Sequence, residues 1–102
     1  MSENLHLEKH VEGQTLLIEL TGRLDTDTAP LLENGIQDWS EGITQLILDF
    51  SEVDYLSSAG LRVLLAAHKR MMKQDGLVLR NVRGMVMEVL EMTGFSDVLT
   101  VE

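Results

Sequence analysis

The sequence predicts a single α/β domain, spanning residues 1–102, in which a mixed β-sheet packs against α-helices. At 102 residues and 44% apolar composition, the chain can form one compact domain with its own core. Short apolar runs of strand length alternate with segments whose apolar residues recur at helical spacing. The resulting order is β-β-α-β-α-β-α-β, in which each strand-helix-strand unit favours a parallel pair of strands joined by a right-handed crossover.

The first two strands are predicted to form a hairpin. The segment from Leu5 to Val11 mixes apolar with charged residues, which is typical of a charged edge strand. Glu12-Gly13 supplies a turn, and the second strand has an apolar face made of Leu16, Ile18 and Leu20.

The first helix is predicted to begin between Asp25 and Thr28, where four residues are candidate N-caps. Pro30 is acceptable in a first helical turn because its missing N–H would have no intrahelical partner there. Ser40-Glu-Gly42 ends the helix. Its apolar side consists of Leu31, Leu32, Ile36 and Trp39.

A strand, a loop and a helix are predicted in the middle of the chain. The apolar run Leu46-Ile-Leu-Asp-Phe50 is typical of a central strand covered on both faces. Residues 51–56 are predicted to be a loop, and either Ser57 or Ser58 could cap the helix that follows. The apolar positions of that helix are Leu61, Leu64, Leu65 and Met72.

The last quarter of the chain is predicted to add a strand, a helix and a final short strand. Asp75-Gly76 stops the preceding helix, and Leu77-Val-Leu79 is a short buried strand. Apolar residues then recur at helical spacing up to Thr93-Gly94, where the glycine is a plausible C-terminal stop. Val98-Leu-Thr-Val101 is the final strand.

The charge of the chain argues against several classes of partner. Seventeen acidic and eight basic residues give a formal net charge of −9, which would repel nucleic acid and anionic membrane surfaces. No apolar run is long enough to insert into a membrane, and the segment Met1 to His6 lacks the features of a signal peptide. We therefore expect a cytoplasmic protein with a protein partner.

The sequence contains no pattern that indicates an enzyme, a metal centre or a cofactor. Leu56 occupies the first glycine position of a Gly-x-Ser-x-Gly elbow around Ser58, and no phosphate-binding glycine loop is present. There is no cysteine. The three aspartates Asp25, Asp49 and Asp54 could chelate a divalent cation, but aspartates are common at strand ends and turns.

Three segments together resemble the STAS domain, the fold of bacterial anti-sigma factor antagonists and of the cytoplasmic tails of sulfate transporters. The string Asp49-Phe-Ser-Glu-Val-Asp-Tyr-Leu-Ser-Ser-Ala-Gly-Leu61 resembles the signature of that family. Leu20-Thr-Gly-Arg-Leu-Asp-Thr-Asp-Thr-Ala29 is similar to its Gly-x-Leu-Asp segment, and residues 86–95 are similar to its Val-Leu-x-x-Thr-Gly helix. The resemblance covers nearly the whole chain.

The resemblance implies a non-enzymatic protein that is switched by phosphorylation. In antagonists of this family, a serine at the start of the helix after the central strand is phosphorylated by an anti-sigma factor that is also a kinase, and a PP2C-type phosphatase removes the phosphate. By position the match is Ser58. Ser57 stands where many members carry aspartate, so it remains an alternative acceptor.

The expected partner-binding residues surround this serine. They are Asp25, Asp49, Asp54, Ser57, Ser58 and Arg62. Arg62 belongs to a helix face, shared with Ala66, Lys69 and Lys73, that is either a docking surface or a solvated face. The alternative function is that of a STAS subunit of a membrane transport complex, for lipid or anion transport, which docks without phosphorylation.

Overall fold

The order of helices and strands confirms the predicted α/β domain. A computed structural model describes residues 4–102. Met1-Ser-Glu3 lies outside the described residues and belongs to the segment Met1 to His6, in which no features of a signal peptide were found. The elements are β1 (Leu5–Glu12), β2 (Thr15–Leu24), α1 (Ala29–Trp39), β3 (Gln45–Leu56), α2 (Ser58–Met71), β4 (Gly76–Arg80), α3 (Gly84–Met92), a 3-10 turn (Phe95–Asp97) and β5 (Thr100–Val101).

The five strands form one mixed sheet whose spatial order follows the chain, β1-β2-β3-β4-β5. The β1 and β2 strands form the predicted antiparallel hairpin, and β1 is an edge strand as expected. The pairs β2/β3, β3/β4 and β4/β5 are parallel. The β3 strand therefore lies at the centre, and its carboxyl end leads directly into α2.

The sheet buries one face more completely than the other. Along β3, Leu46, Leu48 and Phe50 are fully buried, whereas Ile47 and Asp49 are only partly buried. The prediction that this strand is covered on both faces was wrong. Ile47 is aligned with Leu17 on one neighbouring strand and with Val78 on the other, so these apolar side chains shield one another across the strands. The core on the buried face also contains Leu32 from α1, Leu64 from α2 and Leu90 from α3.

The central strand is longer than predicted, because residues 51–56 belong to β3 and not to a loop. Pairing with β2 continues as far as Leu24 and Leu56, with register shifts between Glu19 and Thr21 and between Gly22 and Arg23. Such irregularities break the two-residue alternation by which a strand is recognised in sequence. Val53 is buried in this irregular part.

The helices differ from the prediction mainly at their ends. Met71 is buried, whereas Met72, which was predicted to face the core, is 64% exposed because the buried face of α2 runs through Leu61, Leu64, Ala67 and Met71 and leaves Met72 to one side. Leu31 is also exposed. Gly94 directly follows Thr93, the C-cap residue of α3, and has a φ of 81°, so it stops this helix as predicted. Among residues 4–102, no helix has the length and hydropathy required to cross a membrane.

Candidate functional site

The candidate site lies at the junction between β3 and α2. The backbone N–H of Ser57 donates to the carbonyl oxygen of Leu24 at 2.9 Å, which ties the junction to the end of the neighbouring strand β2. The backbone N–H of Leu61 donates to the carbonyl oxygen of Ser57 at 2.9 Å and closes the first turn of α2. Two strand ends therefore fix where this helix begins.

The two serines at this junction have different environments. Ser57 is the N-cap residue, with extended backbone angles, and its Oγ accepts a hydrogen bond from the backbone N–H of Gly60 at 3.3 Å. Ser58 is the first residue of α2 and is exposed. Within residues 4–102, the Ser58 hydroxyl makes no hydrogen bond. The accessible and unengaged hydroxyl is therefore that of Ser58.

Gly60 allows the first turn of α2 to lie directly against the sheet. It is buried, and a Cβ at this position would approach Leu24 Cγ and Leu56 Cδ1 to 2.8 Å and the carbonyl oxygen of Leu24 to 3.1 Å. A side chain would push the helix away from both strands. The close contact at Gly60 holds the turn that carries Ser58 in one position.

The start of α2 is electrostatically suited to an anion. The unpaired N–H groups of a first helical turn carry partial positive charge. No acidic residue occurs anywhere in α2, and Arg62, one turn after Ser58, is exposed. Asp54, in the last part of β3, is exposed as well. The site thus presents a hydroxyl between a cationic helix face and an acidic strand end.

Asp25 serves mainly to organise the loop before α1. Its Oδ1 accepts the backbone N–H groups of Asp27 and Thr28, each at 3.0 Å, and the hydroxyl of Thr28 at 3.1 Å. Desolvation raises the pKa of Asp25, but these hydrogen bonds, together with one from Arg23, hold the pKa below its ordinary value. Asp25 thus has a structural role besides its expected role in binding.

Asp49 is held in a similar way. Its Oδ1 accepts the backbone N–H of Ser51 at 2.8 Å, and the amide group of Asn81 donates to both carboxylate oxygens at 3.2 Å. Desolvation raises the pKa of Asp49, whereas these hydrogen bonds and the charge of Arg80 lower it. The lowering is the larger effect, so the pKa lies below its ordinary value. Asp49 is on the partly buried face of β3, opposite the face that carries the core.

Two residues beside the site were not found by sequence reasoning. The Arg23 guanidinium lies 4.1 Å from the centre of the Tyr55 ring, and Arg23 Nε lies 3.5 Å from Asp25 Oδ2. Arg23 and Tyr55 are aligned on β2 and β3 after the register shifts. Because residues 51–56 were predicted to be a loop, the prediction contained no strand register that would place Arg23 beside Tyr55.

A groove between α1 and α2 begins next to the site. This part of the groove has a volume of about 280 Å³. It is lined by Ala59 and Arg62 on α2 and by Pro30 and Glu33 on α1. Val63 lies in its wall and also borders the next depression along the same helices. The groove combines apolar walls with one cation and one anion at its rim.

The three aspartates considered as metal ligands do not form a cluster. Among residues 4–102, the acidic and histidine side chains that come within chelating distance of one another are Glu8, His10 and Glu19, all exposed on the hairpin. His10 Nε2 lies 3.1 Å from Glu19 Oε1. Asp25 and Asp49 bind backbone and amide groups, as described above.

The family of this chain follows from its similarity to known proteins. The model of the STAS domain family matches residues 6–102. The chain is also 33% identical to an anti-sigma-B factor antagonist of Listeria monocytogenes over 97% of this chain and 90% of that protein. The chain belongs to the anti-sigma factor antagonist family of STAS-domain proteins. This assignment makes it a regulatory protein and not an enzyme.

Solved structures of antagonists share the fold of this family member. An anti-sigma factor antagonist from Mycobacterium paratuberculosis superposes with a TM-score of 0.85 at 24% identity, covering 95% of this chain and 84% of that one. The phosphorylated form of the Bacillus cell fate determinant SpoIIAA superposes with a TM-score of 0.70 at 21% identity, covering 96% and 90% of the two chains. At these identities the likeness concerns the fold.

Proposed function

We propose that this protein binds an anti-sigma factor with kinase activity in the cytoplasm and that phosphorylation of Ser58 ends the binding. Bound to the antagonist, the anti-sigma factor is unavailable to its sigma factor. A PP2C-type phosphatase restores the binding form by removing the phosphate. The observation that carries the proposal is the exposed, unengaged Ser58 hydroxyl beside a Ser57 hydroxyl that already caps the helix.

The fold can accommodate a phosphate on Ser58 without rearrangement. Phosphate oxygens accept hydrogen bonds from the free N–H groups of a first helical turn, and their charge meets the positive end of the helix dipole. The Ser57–Gly60 cap and the Ser57–Leu24 hydrogen bond do not involve the Ser58 side chain. A relative with this fold has been solved in a phosphorylated form.

The partner, in contrast, meets a changed surface. Phosphorylation adds about 1.5 to 2 negative charges at neutral pH. Glu52 and Asp54 are already exposed on the strand that leads to Ser58. If acidic or apolar groups of the partner pack against this junction, the new charge weakens binding by about 2 to 5 kcal/mol through repulsion and desolvation. The switch then depends on local charge and not on refolding.

The test uses the protein together with a candidate partner, an anti-sigma factor of the histidine-kinase-like ATPase class that binds it. The wild type, Ser57→Ala and Ser58→Ala are each incubated with that ATPase and ATP, and the modified residue is located by tandem mass spectrometry. We expect phosphate on Ser58 in the wild type and in Ser57→Ala, and none in Ser58→Ala. Phosphate on Ser57, or no modification by a partner that does bind, would overturn the assignment.

A further inference from the structure

Arg62 and Ser58 lie on the same face of α2, four residues apart. Side chains at this spacing are neighbours on a helix surface. Helical side chains also lean towards the N-terminus, so a long residue covers the turn before its own Cα. Both residues are exposed. The Arg62 guanidinium can therefore reach the Ser58 side chain without any backbone movement.

Arg62 is also free to take a new partner. Within residues 4–102 the ion pairs of arginine are Arg23 with Asp25 and Arg80 with Glu102, and Arg62 forms none. Arg23 additionally stacks on Tyr55, and Arg83 donates to the carbonyl oxygen of Ser51. Of the five arginines, Arg62 and Arg70 have guanidinium groups that are not engaged within residues 4–102, and Arg62 is the one that lies one turn after Ser58.

We propose that Arg62 binds the phosphate of phosphorylated Ser58 within the same chain and is thereby withdrawn from the groove between α1 and α2. This inference rests on the proposed modification of Ser58. A guanidinium suits the role because its fork of N–H donors matches two phosphate oxygens at once. Arg62 is then a positioning residue for the phosphate.

The withdrawal changes the groove as well as the site of modification. Thr26 and Ala59 line this groove together with two charged residues. Arg62 supplies its positive charge, and Glu33 supplies its negative charge. When Arg62 turns towards the phosphate, this part of the groove loses its cation and keeps the negative charge of Glu33. An acidic group of the partner that pairs with Arg62 in the unmodified protein is then repelled by Glu33. This repulsion acts one helical turn away from the phosphate itself. One modification thus alters two adjoining parts of the surface.

The contact between Arg62 and the phosphate predicts the direction in which the phosphate pKa changes. A cation near the phosphate favours the dianion over the monoanion, so it lowers the second pKa of phosphoserine, which is about 6. For a pair at this helix spacing, the lowering due to Arg62 is expected to be about 0.3 of a pH unit. The helix dipole also lowers this pKa, but it acts equally in variants that differ only at position 62.

The experiment installs phosphoserine at position 58 during translation, so that no kinase is needed. The second pKa is measured by ³¹P NMR titration at low salt in four proteins: the otherwise unchanged chain, Arg62→Gln, Arg62→Lys and Lys69→Gln. Lys69 is the matched control because it is exposed on the same helix, eleven residues from Ser58. We expect the pKa to rise by about 0.3 in Arg62→Gln, to rise less in Arg62→Lys and to stay unchanged in Lys69→Gln.

A second measurement follows Arg62 directly. The rate at which its Nε–H exchanges with water is compared, by NMR, between the phosphorylated and unmodified chains, and slower exchange after phosphorylation is expected. Equal phosphate pKa values in the unchanged chain and Arg62→Gln, or an unchanged exchange rate, would overturn the inference. Because the phosphate is installed without a kinase, failure of the kinase assay described above would overturn the proposed function and leave this result standing.

Discussion

The Oγ of Ser57 accepts the backbone N–H of Gly60 at 3.3 Å, and this contact separates the roles of two adjacent hydroxyls. Ser57 stabilises the start of α2, whereas Ser58, one residue later, is exposed. The distinction can be tested by changing each serine separately, because the two substitutions affect different properties of the protein.

Ser57→Ala is expected to destabilise the fold without removing the phosphorylation site. The loss of an N-cap serine lowers the free energy of unfolding by about 1 kcal/mol. Urea denaturation followed by circular dichroism measures this change. The matched control is Ser58→Ala, for which we expect a change within about 0.5 kcal/mol, as for an exposed position. A larger loss in Ser58→Ala than in Ser57→Ala would contradict the assignment of the cap.

Ser58→Asp is expected to weaken binding to the partner while the fold persists. The added carboxylate supplies part of the charge of a phosphate at the helix start, where negative charge stabilises the helix. Isothermal titration calorimetry with the same partner ATPase should show a reduced affinity, with the circular dichroism spectrum unchanged. Ser58→Ala should stay bound whether or not ATP is present. Equal affinities of the wild type and Ser58→Asp would count against the charge mechanism.

Gly60→Ala is expected to destabilise the protein although alanine is the better helix former. Its Cβ would approach Leu24 Cγ and Leu56 Cδ1 to 2.8 Å, so the helix or the strands must move. Overpacking of this kind costs about 1 to 3 kcal/mol. Gln37→Ala, at an exposed position of α1, is the control and should be nearly neutral. A Gly60→Ala protein as stable as the wild type would show that this packing is looser than described.

Asp49 should contribute to stability in a pH-dependent way. Its pKa is lowered in the folded state, so its contribution is complete well above the ordinary value of 3.8 and is lost as the pH falls through that value towards the folded-state pKa. Replacing it by asparagine should cost about 1 kcal/mol at pH 7 and progressively less below about pH 4. Urea denaturation between pH 7 and pH 3 measures this.

Asp54→Asn is the control for this experiment because Asp54 is exposed and the change in charge is the same. Its stability should follow the wild type across the range to within about 0.5 kcal/mol. A difference between Asp49→Asn and the wild type that does not shrink on acidification would rule out the carboxylate as its source.

Local patterns in the sequence predicted the order of elements and the helix start at which the candidate site lies. The apolar spacing after Ser58, the turn at Glu12-Gly13 and the glycine stop at Gly94 depend on residues close in the chain, and all three are present in the structure. The central strand was recognised from its apolar run, but its last six residues were not, since the register shifts against β2 remove the alternation there.

The sequence alone determined the domain type and the presence of two candidate hydroxyls at a helix start, because caps and hydrophobic periodicity are local properties. Only the tertiary structure distinguished the hydroxyls, since the exposure of Ser58 and the engagement of Ser57 depend on how α2 sits against Leu24 and Leu56. It also decided that Arg23 lies over Tyr55 and that Asp25 and Asp49 are tied to loops. These contacts join residues through strand register and packing, which no spacing along the chain records.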